Sequence, residues 1–424
     1  MDITLMPSRP TGRIKAISSK SAAHRILICA AFADGETIVR CDNTNKDIEA
    51  TANCLCALGA DIRYEKPYFY VKPICNPISG AMLPCDESGS TLRFLLPIIP
   101  ALGVPASFCM AGRLPERPLS PLYEELVSHG ARLGTQGSNP LSCEGRLSGD
   151  VYTIRGDVSS QFISGLLFAL TFSGNGGQLI IEGKTESAPY IDMTIDALSL
   201  FGAAPVKTEN GYSVPKNAVL HTPRTIEVEG DWSNAAFPLC MGAIGKGEVT
   251  VCGLKNDSHQ GDREIIDILR RFGADIIEAQ GEFTVRGGKA LHGITIDATQ
   301  IPDMVPALAT VASVAEGVTT ICGASRLRLK ESDRLMTVRR MLTALGADVR
   351  ETDDGLIING RPRLVGGVSD SFNDHRIAMS AAVASAAADG SITVLGAQCA
   401  SKSYPDFWED IEQCLCVKMT KDVK

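Results

Sequence analysis

Apolar and polar positions along this chain form one pattern about 72 residues long, and the pattern is written six times. Each unit opens with an almost continuously apolar, helix-like run: KSAAHRILICAAFA, STLRFLLPIIPAL, SQFISGLLFAL, WSNAAFPLCMGAI, DMVPALATVASVA and DHRIAMSAAVASAAA. A short strand such as QLIIEG or VTTICG follows, then an amphipathic second helix, as in DRLMTVRRMLTALGAD, and finally two short strands around a turn, as in ADVRETDDGLIING. The second helix ends in Gly-Ala at Gly59, Gly130, Gly202, Gly273 and Gly346, at steps of 71, 72, 71 and 73 residues. Glycine there suits a left-handed C-cap. A polar residue opens each apolar run near Ser21, Ser90, Ser160, Trp232, Asp303 and Asp374, at steps of 69, 70, 72, 71 and 71, and suits an N-cap.

Repeats longer than ordinary solenoid units of about 20–50 residues point to small globular subdomains. A chain of 424 residues exceeds one ordinary core, so two domains of three units each are expected. The sixth second helix, DFWEDIEQCLCVKM, reaches the expected glycine position at Lys418 and the chain ends soon after, so its closing strands are expected to be missing. The strand-like opening Met1–Ile17 is expected to complete that domain. The expected boundaries are an inserted domain, 19–229, and a discontinuous domain, 1–18 plus 230–424.

Composition narrows the class. Hydrophobic content of 44%, 40 glycines and few aromatics fit a compact α/β protein with many tight turns. A net charge of −8 argues against a nucleic-acid surface. The opening MDITLMPSRPTGRIKA lacks a signal-peptide core and no apolar run reaches about 18 residues, so a cytosolic protein without membrane association is expected. Nothing advertises an oligomer interface, which favours a monomer. Among the 14 cysteines the close pairs Cys54/Cys56 and Cys414/Cys416 are CxC within helical runs, and no histidine-rich partner lies nearby. Reduced thiols acting as small hydrophobes are expected, with no metal and no cofactor.

Candidate chemistry gathers where the helices begin. The openings carry Lys20 and Ser21 with Arg25, Gly89 and Ser90 with Arg93, Ser159, Ser160 and Gln161, Asp231, Asp303, and Asp374, His375 and Arg376. Loops between units add Arg117, Ser187, Tyr190, Lys330, Glu331, Asp333, Arg334 and Lys402. Helix N-termini present unpaired N–H groups and the positive end of the macrodipole. With arginine forks and lysine point charges they suit a small ligand of several negative charges. Taken singly, a serine at a helix start is an ordinary cap and KESDR an ordinary solvated charge run; recurrence at matching repeat positions turns the balance. No GxxxxGK[ST] loop or GxSxG elbow occurs, and GNGGQ at 174–178 leads into a strand.

SKSAAHR (19–25), ESGSTLR (87–93), RLPERP (113–118), SSQF (159–162), PYID (189–192), IPD (301–303), KESDR (330–334), NDHR (373–376) and the closing SKSYPDF resemble the EPSP synthase family, the 3-phosphoshikimate 1-carboxyvinyltransferases. The resemblance spans nearly the whole chain. It implies a two-domain inverted α/β barrel of six βαβαββ units, and transfer of the enolpyruvyl group of phosphoenolpyruvate to the 5-hydroxyl of shikimate 3-phosphate. Matched position by position, Ser159, Ser160 and Ser187 are implied to hold the 3-phosphate with Lys20 and Ser21 near it, and Gln161, Arg25 and Tyr190 to meet the shikimate ring. Lys20, Gly89, Arg117, Gln161, Arg334, His375, Arg376 and Lys402 are implied to surround phosphoenolpyruvate. Asp303 is implied as base, Glu331 as the acid for the enol carbon, and Lys330 as a neighbour of the substrate hydroxyls.

Several positions depart from the family's pattern. Ile17-Ser18 stands where Pro-Gly is usual, His24 where the helix carries Asn, Glu87-Ser88-Gly89-Ser90 in place of Asn-Ala-Gly-Thr, Phe94 in place of Pro, and Arg326 where an Asn contacts substrate. Two rivals share parts of the pattern. The enolpyruvyl transferase acting on UDP-N-acetylglucosamine uses a loop cysteine, which the stretch 112–121 lacks although Cys109 precedes it. A non-catalytic phosphometabolite-binding repeat protein would not need Asp303 and Glu331.

Overall fold

The structure, a computed structural model, describes residues 1–422. It divides into two compact units, Ser18–Val228 and Met1–Ile17 with Glu229–Lys424. Among the described residues each unit contains three four-stranded sheets, and all six sheets share one topology. The first two strands of a sheet are parallel, joined by a helix in four of the six sheets, and the remaining pairs are antiparallel. A parallel pair needs a crossover, and in those four sheets the apolar first helix of the repeat supplies it.

In the unit Ser18–Val228, two sheets come from consecutive chain. Ala81–Asp86 lies beside Ala106–Met110, followed by Leu141–Gly145 and Ala131–Leu133; Val151–Arg155 lies beside Gly177–Glu182, followed by Gly211–Val214 and Val206–Thr208. The remaining sheet borrows its first strand from the far end of the unit. Thr225–Glu227 runs parallel to Thr37–Arg40, with Ile226 opposite Val39. The helix Gly89–Leu102 packs on Ser160–Phe172 with unusual closeness: a Cβ on Gly165 would lie 2.4 Å from the carbonyl oxygen of Arg93.

The other unit is closed from the opposite end of the chain. Gly12–Lys15 pairs in parallel with Glu248–Cys252, and Asp2–Leu5 lies antiparallel between Ile392–Leu395 and Met419–Asp422. The sixth repeat therefore keeps one closing strand, Met419–Asp422, where two were expected to be missing. Asp2–Leu5 fills the place of the other. The last helix, Phe407–Cys414, stops at the first cysteine of its CxC pair, leaving Cys416 outside it and exposed. The helices Trp232–Ile244, Val305–Ala312 and His375–Ala384 pack against one another in the core of this unit. They are buried nearly all round, as their lack of a polar stripe requires.

The caps follow the repeat, with one exception. Gly59, Gly130, Gly202, Gly273 and Gly346 all have φ between +79° and +113°. Ser19, Ser88, Ser159, Asp231 and Asp374 each accept a backbone N–H at the start of their helix. In the first two repeats the cap thus sits two residues before the serine singled out from sequence. Asp303 is no cap: it lies inside the short 3₁₀ turn Pro302–Met304, which runs into Val305–Ala312. Its carboxylate is left to bind side chains. All 14 cysteines are free, and among the described residues no helix is long and apolar enough to cross a membrane.

Candidate active site

In the unit Met1–Ile17 with Glu229–Lys424, one carboxylate gathers three cations. Asp303 Oδ1 lies 2.9 Å from Arg334 Nη1 and 3.3 Å from Lys330 Nζ, and Oδ2 lies 3.2 Å from Arg376 Nη2. Arg376 Nη1 also donates to the Asp303 carbonyl at 2.9 Å. Burial alone would raise the Asp303 carboxyl, but Arg376, Lys330 and Arg334 outweigh it and hold it well below the usual carboxylate range.

Arg334 is the hub. Its Nη2 donates to Glu331 Oε2 at 2.7 Å, and its Nε to Asp374 Oδ2 at 2.8 Å. Burial would lower its pKa, yet Asp374, Glu331 and Asp303 raise it, so its charge is permanent. Asp374 is fully buried, caps His375–Ala384, and accepts from Ser332 Oγ at 2.9 Å. His375 is buried beside it, Nδ1 lying 3.8 Å from Asp374 Oδ1. Lys402 lies at the end of the 3₁₀ turn Ala397–Lys402, which packs on His375–Ala384. Arg326 donates to the Thr299 carbonyl at 2.9 Å, tying the turn ahead of Lys330 to the loop that leads into Asp303.

The unit Ser18–Val228 has a different character. Three helices begin here behind serine caps, and basic side chains stand around them. Lys20 Nζ pairs with Asp47 Oδ2 at 2.8 Å. Gln161 joins two helix starts: its Oε1 accepts from Arg93 Nη1 at 3.0 Å and its Nε2 donates to Ser90 Oγ at 2.8 Å. A Cβ on Gly89 would lie 2.7 Å from Arg93 Nη1 and 2.9 Å from Arg117 Nη1, so the missing side chain leaves room for two guanidinium groups. Ser160 begins its helix directly after the Ser159 cap.

Ser187 holds left-handed backbone, φ 54° and ψ 39°, at the start of Ala188–Leu200. A non-glycine residue there carries a conformational cost that surrounding structure must sustain. Its carbonyl accepts the Tyr190 N–H at 3.1 Å. Arg25 is buried with its guanidinium committed: Nε to Thr194 Oγ1 at 2.8 Å, Nη1 to the Ser21 carbonyl at 2.7 Å, and Nη2 to the Tyr190 carbonyl at 2.8 Å. It also lies over the Phe94 ring, 4.9 Å from its centroid, and burial pulls it down to about 10. Arg25 therefore fixes the backbone of Ser21 and Tyr190 from inside.

Sequence reasoning passed over Asp47, Asp262 and Ser233. Asp47 and Asp262 occupy matching points near the start of second helices, 215 residues or three repeats apart, which was the available signal. Asp374, one of the polar helix openings, is both the cap of His375–Ala384 and the buried partner of Arg334.

Fold and site define a class: a two-unit α/β enzyme in which paired carboxylates sit among fixed cations, suited to proton transfer on a polyanionic substrate. The EPSP synthase (3-phosphoshikimate 1-carboxyvinyltransferase) family model matches residues 6–411. Over 410 residues the chain is 41% identical to the 3-phosphoshikimate 1-carboxyvinyltransferase of Clostridium kluyveri, covering 96% of each, and over 413 residues 39% identical to that of Clostridium perfringens, covering 97% of each. Among solved structures, an EPSP synthase from Acinetobacter baumannii superposes with a TM-score of 0.82 at 26% identity, covering 99% of this chain and 100% of that one. The chain belongs to the EPSP synthase family.

Proposed function

We propose that this enzyme transfers the enolpyruvyl group of phosphoenolpyruvate to the 5-hydroxyl of shikimate 3-phosphate, releasing phosphate. The single observation that carries the chemistry is Asp303, held by Arg334, Lys330 and Arg376, with Glu331 on the same Arg334. The reaction needs a base for the attacking hydroxyl and an acid for the methylene carbon. Asp303 takes the hydroxyl proton as the oxygen bonds to the enol carbon, while Glu331 delivers a proton to the methylene to give a methyl group. Elimination reverses the traffic: a methyl proton returns to Glu331, the proton held by Asp303 passes to the leaving phosphate as its carbon–oxygen bond breaks, and the enol ether remains.

Without substrate, Asp303 is too strongly neutralised to be a good base. Phosphate and carboxylate groups of phosphoenolpyruvate compete for the same three cations. As Arg376, Arg334 and Lys330 turn to the substrate, the carboxylate loses its stabilisation and gains basicity, so binding prepares the base. Arg117, Lys20, Gly89, Gln161, His375 and Lys402 complete the phosphoenolpyruvate set. Ser159, Ser160 and Ser187, with Lys20 and Ser21, take the 3-phosphate, supported by helix N-termini. Gln161, Tyr190 and Lys330 meet the ring, and Arg25 shapes the backbone around it. The enzyme works as a monomer in the cytoplasm on these two small molecules.

A coupled phosphate-release assay tests the assignment. Release is expected only with both phosphoenolpyruvate and shikimate 3-phosphate. Turnover with a UDP-sugar acceptor in its place would overturn the reading.

A further inference from the structure

Behind the cation cluster lies a second buried carboxylate that the reaction does not use. Asp262 sits on the 3₁₀ turn Gly261–Glu264 and is 2% exposed. Ser233 Oγ, on the helix Trp232–Ile244, donates to Asp262 Oδ2. Ser233 Oγ in turn accepts from Arg376 Nη2 at 2.9 Å. Gln260 fastens the turn in place, donating from Nε2 to the Gly230 carbonyl at 2.8 Å and accepting the Trp232 N–H at 3.1 Å.

We infer that Asp262 is a positioning residue: its carboxylate orients the Ser233 hydroxyl, which then anchors Arg376 for phosphoenolpyruvate. The inference rests on the enolpyruvyl-transfer reading and deepens it. A hydroxyl has one proton to give. When Asp262 is ionised it takes that proton, and the Ser233 lone pairs face Arg376. When Asp262 is protonated, its own O–H can donate into those lone pairs and compete with the guanidinium.

The repeat supports the role. In the first unit of the chain Asp47 grips Lys20, the first residue of its helix. Three repeats on, Asp262 grips Ser233, the second residue of the matching helix. Lys20 carries its own charge; Ser233 does not, and passes the hold to Arg376.

Charged groups facing Asp262 are Asp303 from the turn Pro302–Met304, Arg376 from His375–Ala384, and Asp231 at the start of Trp232–Ile244. Burial, then Asp303, push the carboxyl up to about 6, against the pull of Arg376. The pair Asp262 and Asp303 is thus driven apart, one upward and one downward, as neighbouring carboxylates with different tasks are.

The test compares the full-length parent with Asp262→Asn, Ser233→Ala and Ser233→Thr in the phosphate-release assay, between about pH 5 and pH 8. In the parent, KM for phosphoenolpyruvate is expected to rise below about pH 6. In Asp262→Asn and Ser233→Ala it is expected to be raised about tenfold at pH 7.5, the scale of a hydrogen bond to a charged group, with a much smaller change in kcat and no acid limb. Ser233→Thr keeps the hydroxyl and is expected to restore the parental KM and acid limb. Asp262→Asn with the parental KM and acid limb would overturn the inference, as would equal losses in kcat and KM accompanied by a lowered melting temperature. A parent that releases no phosphate overturns the reaction itself, and this inference with it.

Discussion

Arg334 and Asp374 form a two-point ion pair sealed from solvent, Nε to Oδ2 at 2.8 Å and Nη2 to Oδ1 at 3.3 Å, with their side chains 1% and 0% exposed. The pair fixes one edge of the guanidinium and turns Nη1 and Nη2 toward Asp303 and Glu331. Asp374 also holds the N-terminus of His375–Ala384. Asp374→Ala would strand a buried arginine and remove a cap together. A loss of about 3–5 kcal/mol is expected from urea unfolding, because breaking one side of a buried pair leaves the other charge uncompensated. A loss under about 1 kcal/mol would show that Arg334 is held by its other partners.

Asp303→Asn keeps the size of the side chain and removes its charge and basicity. Turnover is expected to fall by about 10²–10⁴, the ordinary contribution of a positioned acid or base. Three cations are released from their carboxylate, so KM for phosphoenolpyruvate is expected to stay level or fall. A steady-state measurement decides; a variant within threefold of parental kcat would remove Asp303 from the role of base.

Much of this was legible in the chain because helix caps and apolar periods are local. The five glycines at the ends of second helices needed only the left-handed φ that glycine tolerates. The six-fold repeat made Asp303 and Arg376 stand out as polar residues in apolar surroundings. The closing strand Met419–Asp422 was missed because it is short and polar, and only its partner Asp2–Leu5, at the other end of the chain, makes it a strand. Asp262 was missed for a like reason: in HQGDREI it reads as an ordinary charged helix start, and its burial against Ser233, within reach of the Arg376 charge from another repeat, is a matter of packing.

Gly89→Ala separates binding from stability. Its helical first-turn backbone accepts alanine, and exchange of glycine for alanine in a helix gains about 0.5–1 kcal/mol. The new methyl meets Arg93 Nη1 and Arg117 Nη1 inside 3.0 Å, and both guanidinium groups must withdraw. KM for phosphoenolpyruvate is expected to rise about tenfold or more, since a displacement near 1 Å costs up to about 10²-fold. Thermal unfolding is expected to hold or move upward. An unchanged KM would show that these two arginines do not meet the substrate through that space.

His24 makes acid sensitivity a property of this chain's own core. The ring is 1% exposed, and Nδ1 shares a hydrogen bond of 2.6 Å with Thr51 Oγ1; Thr51 meets Thr91 at 2.6 Å, and Thr91 donates to Ser88, the cap ahead of Gly89, at 2.7 Å. Burial lowers the His24 pKa from 6.5 to about 3, with Lys20 and Arg25 adding to the effect and Asp47 opposing it. Between those values the unfolded chain binds a proton that the folded one refuses. Stability from neutral His24 is therefore complete above pH 6.5 and drains away as pH falls toward about 3, by about 1.4 kcal/mol per pH unit. His24→Asn retains a hydrogen-bonding side chain and cannot titrate, so other acid-sensitive groups cancel in the comparison. From pH 7 to pH 4.5 the parent is expected to lose about 2–3 kcal/mol more than the variant in urea unfolding. Parallel pH dependence in the two proteins would mean that the imidazole is protonated within the fold, and that the hydroxyl chain to Ser88 does not depend on its neutrality.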